Sequence, residues 1–177
     1  MPTVISHSIV SFALGKTIKW KQSTSVAFYS FACGSLSDLD FVGRYFGIKY
    51  LDHWGHRGWS HSLLMASIIG LVLGYLCSQK GWYSKLGWWL YFTVLTSTHT
   101  LLDMCTTGGH GVALYAPWSH LRHFFPDQFR VVRVSPMHFH HFTWEKLAPV
   151  FMSELLWLIL PITCLLFVRW VFEARRA

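Results

Sequence analysis

The sequence predicts an all-α, polytopic membrane protein: a helical bundle of four to five hydrophobic segments with a long histidine-rich loop. Hydrophobic residues make up 53% of the 177 residues, and charged residues make up 13%, against about 25% in ordinary soluble proteins. The apolar residues are grouped into runs close to the roughly 20 residues that a helix needs to cross a bilayer. These observations exclude a conventional soluble enzyme, a disordered chain and a coiled coil. We interpret residues 1–177 as a single membrane-embedded domain.

The first four apolar segments follow in chain order. Residues 3–15 form an apolar helical stretch that is short for a full crossing. Residues 23–37 form a second short segment, which reaches residue 46 in its longest interpretation. Residues 58–79 and 86–102 contain no Lys, Arg, Asp or Glu, so they are the clearest predicted spans.

The connection over residues 105–146 is predicted to be an interfacial loop, because it is rich in His, Gly and Pro and too long for a plain turn. Within it, His138, His140 and His141 have no acidic neighbours, and we interpret them as part of the loop rather than as a second metal site. The loop leads to a C-terminal transmembrane helix predicted over 147–170, whose apolar centre, 147–168, contains Glu154 and Pro161.

The distribution of histidine along these segments is strongly one-sided. Helices joined by short loops alternate in direction. The first and third helices therefore begin at the same face of the membrane at which the second and fourth helices end. All 11 histidines fall at that face. The loops at the other face are rich in Lys and Arg, which the positive-inside rule assigns to the cytoplasm. We therefore expect the His-rich face to point outward, into the periplasm of a Gram-negative cell.

The basic residues occur as short clusters between apolar runs, as in a membrane protein, and no nucleic-acid-binding motif accompanies them. We therefore expect no nucleic-acid partner despite the net charge of +7.

Four short motifs combine imidazoles and carboxylates at the His-rich face. His99 and Asp103 are four residues apart, which places them on one side of a helix. Asp38 and Asp40 are two apart, so they serve one site only if the helix has ended there, as the nearby Gly and Ser residues suggest. Each motif alone also has a structural explanation, such as a helix cap or a tie between helices. The motifs are His7, Asp38-Leu39-Asp40, residues 56–62 (His-Arg-Gly-Trp-Ser-His-Ser) and residues 99–103 (His-Thr-Leu-Leu-Asp).

Together these residue types indicate a site for a divalent cation. Neutral imidazoles and carboxylates are the ligands of hydrolytic Zn²⁺ and of Mn²⁺ or Mg²⁺. We expect one or two ions, with zinc as the first choice. Asp38 or His56 would be the general base or a further ligand, and Arg57 would neutralise the developing anion. The expected metal ligands are His7, Asp40, His61, His99 and Asp103.

The same motifs, with His-Thr-Leu-Leu-Asp-Met-Cys-Thr-Thr-Gly-Gly at 99–109 and Tyr-Ala-Pro-Trp-Ser at 115–119, resemble the YdjM-type family of membrane-bound metal-dependent hydrolases. The resemblance covers about residues 1–123. The family pattern often has Pro in place of Ser37 and Thr in place of Ser60, and neither change removes a candidate ligand. The resemblance implies an integral hydrolase of the bacterial cytoplasmic (inner) membrane, with no defined substrate.

A site at the edge of the bilayer favours hydrolysis of an ester or phosphoester in a lipid-like or lipid-linked substrate, with membrane lipids as partners. One alternative is a non-catalytic membrane protein that binds or transports a metal with the same His and Asp residues. A second alternative is a serine hydrolase using Ser60 or Ser62, although the sequence lacks the closing glycine of a nucleophile elbow.

Overall fold

Six α-helices form the framework of the computed structural model, which describes residues 2–78, 82–133 and 143–175. No extended strand occurs in these three ranges, which confirms the all-α class. The helices are α1 (Val4–Ile18), α2 (Thr24–Ala32), α3 (Leu63–Cys77), α4 (Trp82–Met104), α5 (Trp144–Glu154) and α6 (Leu160–Ala174). The described ranges also contain three 3₁₀ segments, Leu36–Phe46, Trp59–His61 and Asp127–Phe129, and one π-helical segment, Leu155–Ile159.

The first three helices begin at a hydroxyl-bearing N-cap residue. The side chains of Thr3, Ser23 and Ser62 each accept a hydrogen bond, at 3.1–3.4 Å, from the backbone N–H three residues further on. Such a bond satisfies one of the N–H groups that the first turn of a helix leaves without a partner. These caps fix where α1, α2 and α3 start.

Helices α3 and α4 form the closest pair in the bundle. Ala66, Gly70 and Gly74 recur every fourth residue on α3 and are buried against α4. A Cβ at Gly70 would lie 2.7 Å from Thr93 N, and a Cβ at Gly74 would lie 2.7 Å from Trp89 N. The two backbones are therefore in near contact, which is the way small residues join helices in lipid.

The second expected segment, 23–37, is shorter as an α-helix than its apolar run. Helix α2 has nine residues, which at 1.5 Å per residue reach only about 14 Å. The chain then passes Gly34 and Ser35 and continues as the 3₁₀ segment Leu36–Phe46. Helix α3 also starts later than expected, at Leu63, because Trp59–His61 form a 3₁₀ turn and Ser62, at φ −78° and ψ 156°, is extended.

Helices α5 and α6 form one continuous helix with the π-helical segment between them. It begins at Trp144, three residues before the expected start, and continues past residue 170 to Ala174. Pro161 has no N–H to donate, and in a regular α-helix its ring would clash with the carbonyl of Trp157. Trp157 lies in the π turn, which is wider and accommodates the ring. Among the described residues, only this helix is long and apolar enough to cross a membrane by itself; α1 and α3 are apolar but shorter. Four to five spans therefore remain a prediction.

The bundle buries many polar residues beside a hydrophobic core that includes Phe92 and Leu95, and it exposes many apolar ones. The buried residues of α1 are Ser6, His7, Ser8, Ser11, Ala13 and Gly15. By contrast, Phe28, Leu71, Tyr75 and Phe167 are 60–69% exposed. Water does not favour this distribution, whereas lipid does.

The connection after α4 packs over the end of the bundle that carries the histidines. Its described part, residues 105–133, contains one short 3₁₀ turn and two isolated bridges, Thr106 with Val132 and Val112 with His123. Ala113 N donates to Arg57 O at 2.9 Å, which joins this connection to the turn before α3. His138, His140 and His141, interpreted above as loop residues, lie outside the described residues.

Candidate metal centre

Seven imidazole and carboxylate side chains from four parts of the chain meet at one end of the bundle. We call them the His–Asp cluster. Helix α1 contributes one, the 3₁₀ segment Leu36–Phe46 two, the turn before α3 two and the end of α4 two. Every candidate site residue from the sequence therefore lies in the cluster or, for Arg57, against it. The members are His7, Asp38, Asp40, His56, His61, His99 and Asp103.

Four ligand atoms converge at the centre of the cluster. His61 Nε2 lies 3.0 Å from His99 Nε2, 3.5 Å from Asp38 Oδ1 and 3.4 Å from Asp103 Oδ2. His99 Nε2 lies 3.4 Å from Asp38 Oδ1 and 4.0 Å from Asp103 Oδ2. Atoms bound tetrahedrally to one zinc ion at 2.0–2.1 Å are about 3.3–3.4 Å apart. The five distances lie around that value.

A backbone carbonyl fixes the orientation of the His99 ring. Its Nδ1 donates to the Gly34 carbonyl at 2.7 Å, so the lone pair of the neutral ring is on Nε2 and faces the centre. Gly34 lies directly against α1, where a Cβ would be 2.3 Å from His7 O. Only glycine allows this approach, so one residue both joins α1 to the end of α2 and positions His99.

His61 is fixed by the residue before it. The Ser60 hydroxyl donates to Asp40 Oδ2, and its oxygen accepts from His61 Nδ1 at 2.8 Å. The lone pair of His61 is then on Nε2 and points at the lone pair of His99. Two neutral imidazoles in this arrangement repel each other at 3.0 Å unless a metal ion or a proton lies between them.

Asp38 and Asp40 occupy different layers of the cluster. Asp38 Oδ1 faces both central imidazoles. Asp40 Oδ1 instead accepts from His56 Nδ1 at 2.8 Å, and Asp40 Oδ2 lies 3.1 Å from His61 Nδ1. Successive residues of a 3₁₀ helix are about 120° apart, so residues 38 and 40 reach one site from two directions.

His7 lies at the side of the centre. Its ring stacks on His99 with centroids 3.9 Å apart, and its Nε2 lies 3.4 Å from Asp103 Oδ1. The start of α1 is held by Glu154, which is 3% exposed. The Glu154 carboxylate accepts from Thr3 N, from Thr3 Oγ1 at 2.9 Å and from Ser6 Oγ at 2.7 Å.

Arg57 is a buried counter-charge for Asp103. Its Nε lies 3.0 Å from Asp103 Oδ2, while its two terminal nitrogens donate to Gly108 O at 3.3 Å and Thr106 Oγ1 at 3.2 Å. Gly109, at φ +89°, allows the loop to close over the guanidinium, since a Cβ there would lie 2.7 Å from Arg57 Nη1. The guanidinium therefore contacts protein groups on several sides.

The electrostatics of the cluster favour a cation. Both carboxylate oxygens of Asp38 and of Asp103, and both ring nitrogens of His7, are buried without a hydrogen-bond partner among the described residues. Burial raises the pKa of Asp40, but its bonds with His56 and His61 hold that pKa below the usual range. Burial lowers the pKa of His61, but the contacts with three carboxylates raise it well above 6.5. Positive charge is therefore stabilised between these carboxylates.

Three overlapping groups of three residues satisfy the geometry of a metal site. Within each group the ligand atoms lie within 4.8 Å of one another. Asp38, His61 and His99 each belong to two groups, while Asp40 belongs to none. The groups are His7, Asp38 and His99; Asp38, His56 and His61; and His61, His99 and Asp103. The donor set and its unpaired buried atoms fit a divalent cation.

The sequence did not predict the supporting roles of three residues beside the cluster: Gly34, Ser60 and Glu154. Gly34 acts through its carbonyl, and a backbone group leaves no signature in the sequence. Ser60 precedes a histidine within the motif and could have been proposed as a hydrogen-bond partner. Glu154 is an acid inside an otherwise apolar helix, which was a signal for a buried partner.

The chain is similar to known inner membrane proteins. Residues 1–175 match the model of the family described as YdjM inner membrane protein. The chain is 35% identical over 173 residues to "Inner membrane protein YbcI" of Escherichia coli strain K12, covering 96% of this chain and 98% of that protein. No solved structure matches the chain.

Proposed function

Because this chain belongs to the YdjM family of inner membrane proteins, we propose that it is a membrane-bound, metal-dependent hydrolase. Its substrate would be an ester or phosphoester in a lipid-like or lipid-linked molecule. The observation that carries the proposal is the convergence of the His61 and His99 Nε2 atoms, 3.0 Å apart, with a carboxylate oxygen of Asp38 and one of Asp103 within 4.0 Å of both nitrogens. Zinc is the first choice of metal, because two nitrogens and two oxygens suit it.

We propose that Asp38, His61, His99 and Asp103 hold the ion, with His7 as a further ligand or as a ligand of a second ion. Asp40 is assigned a supporting role instead of the direct ligation that the sequence suggested, because it contacts the outer nitrogens of His56 and His61. Such outer carboxylates orient a metal-binding imidazole and raise its basicity.

The remaining roles concern protons and charge. Zinc would polarise the scissile group and lower the pKa of bound water to about 7. His56, oriented by Asp40 at 2.8 Å, is our choice for the general base. Arg57 stabilises negative charge at the centre mainly through Asp103, since several of its N–H groups already contact protein groups. Its part in neutralising the developing anion would be electrostatic rather than a direct contact with substrate.

We also propose several membrane crossings, by α1, α3, α4 and the continuous helix α5–α6. The support is the inverted distribution of polarity: buried serines and threonines inside, exposed Leu, Phe and Tyr outside. Helix α2, with nine residues, is too short to cross alone, so the chain returns to the edge with the cluster through α2 together with residues 33–38. The cluster then lies at one edge of the bilayer, and the Lys-rich loops lie at the other. The positive-inside rule makes the edge with the cluster extracytoplasmic.

A second candidate function is metal binding or transport without catalysis. The observation that favours it is the complete burial of the centre, where His7, His61, His99 and Asp103 are each 0% exposed. A storage or transport site needs only an ion pathway, whereas a hydrolase must also admit its substrate.

Metal analysis of the purified protein tests the proposal. Wild type should contain stoichiometric metal, His99→Ala should lose it, and the control His120→Ala, an exposed residue outside the cluster, should keep it. Wild type is then assayed on ester and phosphoester lipids. Metal without turnover would favour the binding or transport function, and no stoichiometric metal in wild type would exclude both candidates.

A further inference from the structure

A cavity of about 370 Å³ lies beside the His–Asp cluster, between the 3₁₀ segment Leu36–Phe46 and α3. Its walls are mostly apolar and include Leu36, Ile48, Met65 and Ile69. Gly43 widens it, since a Cβ there would lie 3.0 Å from Ile48 Cδ1. The volume is at the lower end of the roughly 300–1,000 Å³ of small-molecule sites, which suits one slender apolar group.

The polar members of the cavity wall are at its boundary with the cluster. They are Ser37, Asp40 and Ser60, and two of them, Asp40 and Ser60, form the hydrogen-bonded support of His61. Ser37 is 2% exposed, and its hydroxyl has no hydrogen-bond partner among the described residues. A buried hydroxyl without a partner is unfavourable, so a ligand oxygen at this point would relieve that penalty.

The surface beside the cavity is apolar and exposed. In a 3₁₀ helix, residues three apart share a face, and here Leu39, Val42 and Tyr45 are 64%, 50% and 84% exposed. Leu39 and the half-exposed Trp54 also line the cavity. An apolar face of this kind is stable against the acyl region of a bilayer, so the mouth of the cavity would open toward lipid.

We propose that this cavity binds one hydrocarbon chain of a membrane lipid and places the adjoining ester at the cluster. The chain would contact Leu36, Met65 and Ile69, and an ester oxygen would accept from Ser37 Oγ. A soluble metabolite would not explain an apolar wall beside an apolar outer face. The placement of the ester rests on the proposed hydrolase function, whereas binding of the hydrocarbon chain does not.

Photolabelling tests the binding. The full-length protein in lipid nanodiscs is irradiated with a phospholipid that carries a diazirine near the end of one acyl chain, with EDTA present, and the labelled residues are mapped. We expect label on Ile48, Met65 or Ile69.

Two substitutions on α3 test whether the label depends on the cavity. Ile69→Trp fills the cavity and should reduce this label at least several-fold. Leu76→Trp, at an exposed position on the same helix, should leave the label unchanged. Gly43→Leu, which narrows the opposite wall, provides a second variant if Ile69→Trp fails to fold.

The outcomes separate this inference from the proposed function. Label confined to outward residues such as Leu71, or cavity label that persists in both filling variants, overturns the binding proposal. Cavity label in a wild type that hydrolyses no ester supports binding and counts against the hydrolase. If wild type is active, Ile69→Trp should lose activity on long-chain esters while keeping its metal and its activity on short-chain esters. Equal loss on both chain lengths would contradict placement of the ester by the cavity.

Discussion

Ser6 Oγ donates to the Glu154 carboxylate at 2.7 Å, across 148 positions of sequence. This bond attaches the first turn of α1 to the C-terminal helix, one residue before His7. The apolar helix therefore contributes a carboxylate to the support of the cluster, in addition to any role in crossing the bilayer.

Glu154→Gln should lower metal affinity by about tenfold, the lower end of the effect of losing an outer-shell partner. The amide still accepts, but it has no charge with which to hold Thr3 and Ser6. Isothermal titration of the metal-free protein with Zn²⁺ measures the affinity. Glu145→Gln, at an exposed position of α5, is the matched control. Equal affinities in the two variants would show that Glu154 does not position His7.

Gly34→Ala should lower the free energy of unfolding by about 1–3 kcal/mol, the usual cost of overpacking. The new Cβ would lie 2.3 Å from His7 O, so α1 and the partner of His99 must both move. Gly87→Ala, in α4 with nothing nearby, should instead stabilise by about 0.5–1 kcal/mol. Thermal unfolding in detergent reports both changes, and a stable Gly34→Ala variant with full metal content would contradict the close contact.

Gly109→Ala and Gly47→Ala form a second matched pair. Both glycines have positive φ, 89° and 83°, so each substitution costs about 1–2 kcal/mol in backbone strain. Only the Cβ at position 109 meets Arg57, at 2.7 Å from Nη1. We expect Gly109→Ala alone to weaken zinc binding in a titration, because Arg57 then shifts from Asp103. Similar zinc affinities in both variants would mean that the position of Arg57 does not affect the site.

Ser60→Ala distinguishes metal-dependent hydrolysis from serine hydrolysis. Removing the hydroxyl leaves only the direct contact of 3.1 Å between Asp40 Oδ2 and His61 Nδ1. We therefore expect metal affinity to fall by up to about tenfold and activity to return at saturating zinc. A serine nucleophile would predict complete loss of activity at full metal content. Steady-state assays over a range of zinc concentrations give the answer.

A reporter fused after Ala177 tests orientation. The continuous helix begins at Trp144, contacts the start of α1 through Glu154 and ends at Ala174, so its end lies on the side of the Lys-rich loops, which the positive-inside rule makes cytoplasmic. Green fluorescent protein fused there should fluoresce and alkaline phosphatase should be inactive. Strong phosphatase activity would reverse the assignment.

The sequence predicted the helices and the members of the cluster better than it predicted their roles. The four-residue spacing of His99 and Asp103 predicts that both lie on one side of α4, because helical periodicity is local. By contrast, the choice between Asp38 and Asp40 depends on the winding of residues 36–46, and a 3₁₀ segment is not distinguishable there from the end of an α-helix. The composition of the chain indicates lipid but does not give the number of spans.

The supporting contacts were beyond prediction for a different reason. The hydrogen bond from His99 to Gly34 and those from Thr3 and Ser6 to Glu154 join positions far apart in the chain. No spacing of residues in the sequence predicts these contacts, since only tertiary packing brings the partners together. The helix predicted over 147–170 already included Pro161, but the π turn that accommodates this proline has no sequence pattern.

The contact between α1 and the C-terminal helix also bears on biosynthesis. A ribosome makes Ser6 first and Glu154 148 residues later, so the earliest imidazole of the cluster lacks its anchor until that helix has been made. Before the helix enters the membrane, the nascent protein would already hold every imidazole and carboxylate of the cluster, but α1 would not yet be fastened beside them. Tight loading of the ion would then wait for this helix, and truncated chains that end before residue 154 would be released with little metal.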